Sequence, residues 1–323
     1  MRELTYAQAL NEALAAELER DQTVFLMGED IGVYGGVFKV TQGLLQRFGS
    51  ERVRDTPISE AGFIGAGLGA AACGLRPVIE IMWIDFTLVA ADQIINQIAK
   101  ARYMSGGQIK APLVIRTQGG GGRGNGAQHS QSLEALYCHI PGLKVVMPST
   151  PADAKGLLIA AIRDDDPVLF IEHKMLYATR GMTPTSAEPI PLGRAATLRT
   201  GKHVTLLSWS RTVQFALQAA DALAAEGLEA EVIDARSLVP FDWEMLYASV
   251  RRTHRLVIAH EAHLSFGPGA EFAARAQEVV FDYLDAPVLR VGARDIPVPY
   301  SKPLEALTLP GPAEIIAKVQ EMF

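Results

Sequence analysis

Two stretches of the chain concentrate side chains that can carry chemistry. The first is "DTPISEAG", which sets Glu60 at the head of a run of small residues, with Ile58, Ala61, Phe63 and Ile64 around it. A carboxyl group at a helix start is often no more than a partner for the helix dipole. In apolar company it also becomes a tuned proton carrier, because burial disfavours its charged form. The second stretch is "RTQGGGGRGNGAQHSQSLEAL", with six glycines between 119 and 126 and His129 after them. A strand, a glycine-rich loop and a helix are the parts of a phosphate cradle. Gly119, Gly121 and Gly124 satisfy G-x-G-x-x-G. The next strand, "LKVVMPS", lacks the terminal acid that binds a ribose hydroxyl, and the loop follows several strands instead of the first. No Gly-Lys-Ser/Thr follows the glycines, which disfavours a P-loop. The reading left is a loop that lets another body approach its backbone and that presents His129 near a helix start, where the dipole disfavours the imidazolium. A histidine packed at a helix end is the plainer alternative.

Other stretches carry weaker signals. "TVFLMGED" reads as a buried strand ending on Glu29 and Asp30. "HEAH" at 260–263 is not zincin spacing, and no G-x-S-x-G elbow occurs. Cys73 and Cys138 match no metal or redox spacing and read as inert core residues. The run behind Glu60 carries Gly62, Gly65, Gly67 and Gly69 among alanines. Each glycine costs a helix about 1 kcal/mol relative to alanine, so this helix is expected to pack closely against another chain.

The elements that must position these groups follow a regular plan. A first helix, "TYAQALNEALAAELERD", opens on the capping pair Thr5 and Gln8. Apolar strands then alternate with amphipathic helices, among them "RPVIEIMWI", "FTLVAADQIINQIAKARYM", "APLVIRT", "TPADAKGLLIAAIRD" and "DPVLFIEH". This predicts an α/β fold of two domains, each a mostly parallel sheet covered by helices on both faces. The first is expected over 1–180, a Pro/Thr/Gly-containing linker over 181–201, and the second over 202–323. A length of 323 residues with 49% apolar residues supports two full cores. Net charge is −6, and "RRTHR" is the one short basic cluster, so nucleic acid is not an expected partner. The run "AGFIGAGLGAAACGL" has fifteen residues and five glycines, too short and too glycine-rich to span a bilayer. The amphipathic N-terminus does not read as a secretory leader. A cytoplasmic or organelle-matrix protein, away from membranes, is the expectation.

Seven blocks resemble one family in order along the chain: "MGEDIGVYGGVFKVTQGL", "DTPISEAGFIGAGLGAA", "MWIDFTLVAADQIINQ", "RYMSGG", "GAQHSQSLEA", "PGLKVVMPSTPADAKGLLIAAIRDDDPV" and "PVPYSKPLE". The family is that of beta subunits of the thiamine-diphosphate-dependent decarboxylating component of 2-oxo-acid dehydrogenase complexes, and the resemblance runs from about Leu4 to the C-terminus. It implies a transketolase-like pyrimidine-binding domain followed by a C-terminal α/β domain. By the same resemblance Glu60 contacts the N1′ nitrogen of the cofactor's aminopyrimidine, and Phe86 stacks on that ring with Met82 and Ile58 beside it. His129 lies at the active-site entrance and serves the lipoyl acceptor, and Glu29 matches an acid of the tunnel between two active sites. Leu113, Ala161, Ile162, Asp164 and Asp166 match a potassium site formed mostly by backbone carbonyls.

The family's metal-diphosphate motif, Gly-Asp-Gly with a later Asn, is missing here. The resemblance assigns it, with the magnesium ligands, to an alpha subunit. It thus implies an alpha2-beta2 tetramer and a lipoyl-bearing acyltransferase core. "IRDDDPVLFIEHKMLY" is closer to pyruvate- or acetoin-using members than to branched-chain ones. A non-catalytic scaffold subunit is disfavoured by the joint presence of Glu60, Phe86 and His129, and an NAD-binding dehydrogenase by the missing ribose acid. The loop "GGGGRGNGA" carries more glycine than many members.

Overall fold

Strand, helix and loop fall into two compact units in a computed structural model that describes all 323 residues. One unit comprises Met1–Gly119 with Leu136–Leu192; the other comprises Gly120–Ala135 with Gly193–Phe323. The glycine-rich stretch thus belongs with the second unit, although it follows a strand of the first.

The chain runs β1 (Arg2–Thr5), α1 (Tyr6–Arg20), β2 (Val24–Gly28), α2 (Leu44–Phe48), β3 (Val53–Asp55), α3 (Glu60–Ala72), β4 (Arg76–Ile81), α4 (Ala101–Met104), β5 (Val114–Gly119), α5 (Glu134–Cys138), β6 (Lys144–Val146), α6 (Pro151–Arg163), β7 (Val168–His173) and β8 (Arg180–Thr183). Within the first unit the sheet order is β6-β7-β5-β4-β2-β3, every pair parallel. Its strands are near-continuous apolar runs because both faces are covered. Leu10, Leu14 and Leu18 of α1 join Leu157, Leu158 and Ile162 of α6 over Val24, Val78, Val114 and Phe170. Each such side chain contributes about 1.5–3 kcal/mol by leaving water. The capping box of α1 forms as its sequence specifies. Gln8 N donates to Thr5 Oγ1 at 3.2 Å, and Thr5 N to Gln8 Oε1 at 2.9 Å.

The second unit continues with β9 (Ala196–Arg199), β10 (Val204–Ser208), α7 (Thr212–Ala225), β11 (Ala230–Asp234), β12 (Ser237–Val239), α8 (Trp243–Thr253), β13 (Leu256–His263), α9 (Gly269–Val280), β14 (Leu289–Ala293), α10 (Lys302–Ala306) and α11 (Pro312–Gln320). Its sheet order is β14-β13-β10-β11-β9, parallel except for β9. The alanine face of α7, Ala216, Ala219 and Ala220, packs with Ile315 and Val319 of α11 over Leu206, Val232 and Val257. No helix is long and apolar enough to cross a membrane.

Four local expectations change. The helix expected over "FTLVAADQIINQIAKARYM" is broken into a 3-10 turn (Ile84–Leu88), a π-helix (Asp92–Ile98) and α4. The Ile95 carbonyl, which an α-helix would offer to Ala99, is taken by Lys100 Nζ at 2.6 Å. Ala99 N instead reaches Ile94 O at 3.1 Å, the wider π spacing. The stretch expected as a linker is partly ordered as strand. β8 pairs antiparallel with β1, β9 joins the second sheet, and Ile190 N bonds Gly156 O at 3.0 Å. Cys73 is exposed and Cys138 half-buried, so neither is a core residue. The helix expected directly after His129 is only α5, which begins at Glu134.

Candidate active site

Strands β3, β2, β4 and β5 are parallel neighbours, so their carboxyl ends share one edge of the sheet. Open α/β sheets bind ligands at that edge. Glu29 directly follows β2, Glu60 opens α3 shortly after β3, and Met82 directly follows β4 with Phe86 in the next turn. Gln118, near the end of β5, donates its amide to the Met82 carbonyl at 2.8 Å. The small residues of α3 let it sit close on the sheet: a Cβ on Gly67 would stand 2.1 Å from Ile79 Cδ1.

The two acids are both buried, Glu60 at 6% exposure and Glu29 at 7%. Burial, and then the nearby charges of Glu60, Asp30 and Glu80, push the Glu29 carboxyl up to about 7. Its Oε1 is buried without a hydrogen-bond partner. Glu29 can therefore give or take a proton near neutrality, and its proton affinity depends on the charge of Glu60. Phe86 and Met82 are half-buried. Of the apolar residues expected around Glu60, Phe63 and Ile64 are buried, but Ile58 is 84% exposed. It leaves the protein interior at the start of the loop into α3 and does not wall in the carboxyl group.

Beside this edge lies a charged network that sequence reading missed. Arg116 of β5, wholly buried, makes a two-pronged ion pair with Glu172 of β7, Nε to Oε1 at 2.7 Å and Nη2 to Oε2 at 2.9 Å. Its Nη1 reaches Glu80 Oε2 at 2.7 Å, and Tyr177 donates to Glu172 Oε2 at 2.6 Å. Burial would strip the Arg116 proton, but Glu172 and Glu80 outweigh it and hold the guanidinium charged. Burial raises Glu172 despite the opposing pull of Arg116. The readable clue was an arginine in the middle of "LVIRTQG", where a buried charge demands a buried partner.

The glycine stretch is ordered by carboxylates of its own unit. Gly122 N and Gly124 N donate to the two oxygens of Glu305, each at 2.8 Å, and Gly121 N donates to Glu261 Oε1 at 2.5 Å. A concave run of N–H groups around an anion is the arrangement expected of a phosphate cradle, and here side chains supply the anion. His129 sits half-buried in a turn, its N–H on Gly126 O at 3.3 Å. Four residues separate it from the short α5, so it does not stand at that helix's start. Its neighbours Gln128 and Ser130 line a cavity of about 650 Å³ with His263 and Asp295. Glu134, at the head of α5, accepts from Trp209 Nε1 at 3.3 Å. Burial pushes its carboxyl up to about 7, against the hydrogen bonds that lower it. In "HEAH", His260 is a core residue: it stacks on Trp209 at 5.2 Å, and burial holds it down to about 4.

The five positions matched to a cation site gather at the opposite, amino edge of the first sheet. Leu113 precedes β5, Ala161 and Ile162 end α6, and Asp164 and Asp166 precede β7. Arg76 Nη1 donates to the carbonyls of Ile162 at 3.1 Å and Asp164 at 2.8 Å, and Leu113 O accepts from Val168 N at 3.0 Å. The carboxylates of Asp164 and Asp166 face Lys144, and Arg102 also holds Asp166.

Known proteins share both the fold and the sequence. The family described as transketolase, pyrimidine binding domain matches residues 2–180, and transketolase, C-terminal domain, matches residues 193–315. A solved split-gene transketolase, described as an inactive beta4 tetramer, superposes with a TM-score of 0.81 at 24% identity. That likeness covers 99% of this chain and 98% of the other, and it shows the fold. The pyruvate dehydrogenase E1 component subunit beta of Rhizobium meliloti is 48% identical over 99% of this chain and 70% of its own length. That of Rickettsia conorii is 46% identical over 99% and 98%, and the mitochondrial beta-2 subunit of Oryza sativa subsp. japonica 49% identical over 98% and 85%. Two transketolase-type domains in this order, with such identity along the whole chain, mean that it belongs to the family of pyruvate dehydrogenase E1 component beta subunits.

Proposed function

We propose that this chain is the beta half of a thiamine-diphosphate-dependent 2-oxo-acid dehydrogenase that decarboxylates pyruvate and acylates lipoyl groups. It works in an alpha2-beta2 tetramer bound to a lipoyl-bearing acyltransferase core. The observation that carries the reading is the pair of buried acids, Glu60 and Glu29, electrostatically coupled at the carboxyl edge of a parallel sheet. A basic ring nitrogen suits such a pair, and the orphaned Glu29 oxygen marks proton-handling capacity that the chain itself leaves unused. When bound, thiamine diphosphate accepts the electron pair left as carbon dioxide departs. Glu60 holds a proton at the ring nitrogen, and Phe86 and Met82 orient the ring face. Glu29, raised by burial and by the charge of Glu60, stands beside it as a second proton-holding group.

The glycine stretch does not compete for the cofactor's diphosphate, because Glu305 and Glu261 already take three of its N–H groups. This supports a diphosphate and magnesium held by the alpha subunit. The carbonyls of Leu113, Ala161, Ile162, Asp164 and Asp166 form a hard-oxygen set at the negative end of α6. Two of these carbonyls, Ile162 and Asp164, also accept from the Arg76 guanidinium, so a potassium ion bound there would share them with that cation through their second lone pairs. Lys144 and Arg102 neutralise the carboxylates there, leaving the carbonyls as its ligands.

Glu60→Gln keeps the size of the side chain and cannot deliver the proton. Acid–base assistance is worth about 10²–10⁴-fold, so turnover in the assembled tetramer is expected to fall by that range while the tetramer still forms. Exchange of the cofactor's thiazolium proton, followed by NMR, isolates the step. An exchange rate equal to wild type would reduce Glu60 to a helix-end carboxylate and defeat the reading.

A further inference from the structure

Two fixed points bracket His129 in the second unit. On one side Glu305, 2% exposed and set in α10, takes Gly122 N and Gly124 N on its two oxygens. On the other, Gln131 O accepts from Gly120 N at 3.0 Å, which closes the loop on itself. The fit around the carboxylate is close. A Cβ on Gly121 would stand 2.6 Å from Leu309 Cδ1 and 3.2 Å from Glu305 Oε1. Gly124, at φ +71°, would bring one to 3.0 Å from the Tyr300 carbonyl. At Gly124 the positive φ and the backbone carbonyl favour glycine, while at Gly121 a side chain would have to displace the end of Leu309. Six glycines between 119 and 126 would otherwise make this a loose backbone, because each adds conformational freedom that ordering must remove.

We propose that Glu305 is a positioning residue: its carboxylate clamps the glycine stretch and thereby holds His129 where acyl transfer to the lipoyl acceptor needs it. The inference rests on the reading of His129 as the acceptor-step residue. Glu305 lies far along the sequence from His129 and acts on it only through the loop backbone. Both N–H donors meet the same carboxyl group, so its substitution by an amide leaves one donor facing an NH₂ group. Glu305→Gln therefore loosens the loop while preserving side-chain volume, and the chain is expected to fold.

The test uses the assembled tetramer and two readouts. Hydrogen exchange read by mass spectrometry should show the amides of 120–126 exchanging at least about tenfold faster in Glu305→Gln, as expected when a buried charge-assisted hydrogen bond is lost. In parallel, acylation of a free lipoyl domain and turnover with ferricyanide are compared in Glu305→Gln, His129→Ala and the double variant. Acylation should fall about tenfold more than ferricyanide turnover in each single variant. The double variant should be no slower than His129→Ala, because a residue acting through another is not additive with it. Unchanged loop exchange, or additive losses, overturns the clamp. Normal acylation in His129→Ala overturns the acceptor reading and the clamp's role with it. A loss confined to His129→Ala overturns the clamp alone.

Discussion

Glu134 shows at the scale of one residue how burial sets proton chemistry in this chain. Burial lifts its carboxyl from the ordinary 4.5 to about 7. The folded value exceeds the unfolded one, so the stability linked to it is fully present below about pH 4.5 and is lost as pH rises through about 7. A shift of this size is on the order of 3 kcal/mol. Glu134→Gln should therefore melt at a temperature that falls less between pH 5 and pH 8 than wild type does. Parallel melting profiles for the two proteins would contradict the assignment. At this scale the sequence was legible where a group announces its own surroundings, as Glu60 does before a run of small apolar residues. It was silent where partners are remote. Arg116 meets Glu172 across 56 positions, and Glu305 meets Gly122 across 183. No local pattern encodes those pairs, and His129 alone could not reveal what holds its loop.

Helix α3 is the element on which the site depends most, because its first residue is Glu60 and its small face sets its distance from β4. Gly67→Val would drive a branched side chain into Ile79, whose Cδ1 would lie 2.1 Å from the first added carbon. Overpacking of this kind costs about 1–3 kcal/mol. The variant should melt several degrees lower and lose turnover as α3 lifts Glu60 from its place. An unchanged melting temperature, measured by circular dichroism on the tetramer, would show that α3 has slack. The alternating plan of these elements was legible, since buried parallel strands read as continuous apolar runs and α1 carries its own capping box. The π segment at Asp92–Ile98 was not, because Lys100 takes the Ile95 carbonyl and Ala99 N reaches Ile94 instead, a choice that helix propensity does not record. The β1–β8 pair escaped for a related reason: Arg2 pairs with Thr183 from the far end of the unit, and no local pattern records it.

At the scale of the whole molecule, the proposed reading makes the chain half of a machine. It carries a buried acid pair, which the proposal sets against a pyrimidine ring, and it has filled its own glycine cradle with carboxylates. Along α3, Gly62, Ala66 and Gly69 remain exposed, a face smooth enough for a second backbone to approach. If an alpha subunit completes the cofactor site, as proposed, calorimetric titration with thiamine diphosphate and magnesium will show it. The chain alone and the alpha subunit alone should show no more than weak heats. The mixture should bind one cofactor per alpha-beta pair, at the sedimentation coefficient of an alpha2-beta2 tetramer. Full-affinity binding by this chain alone, or no gain on mixing, would mean that no alpha subunit completes the site.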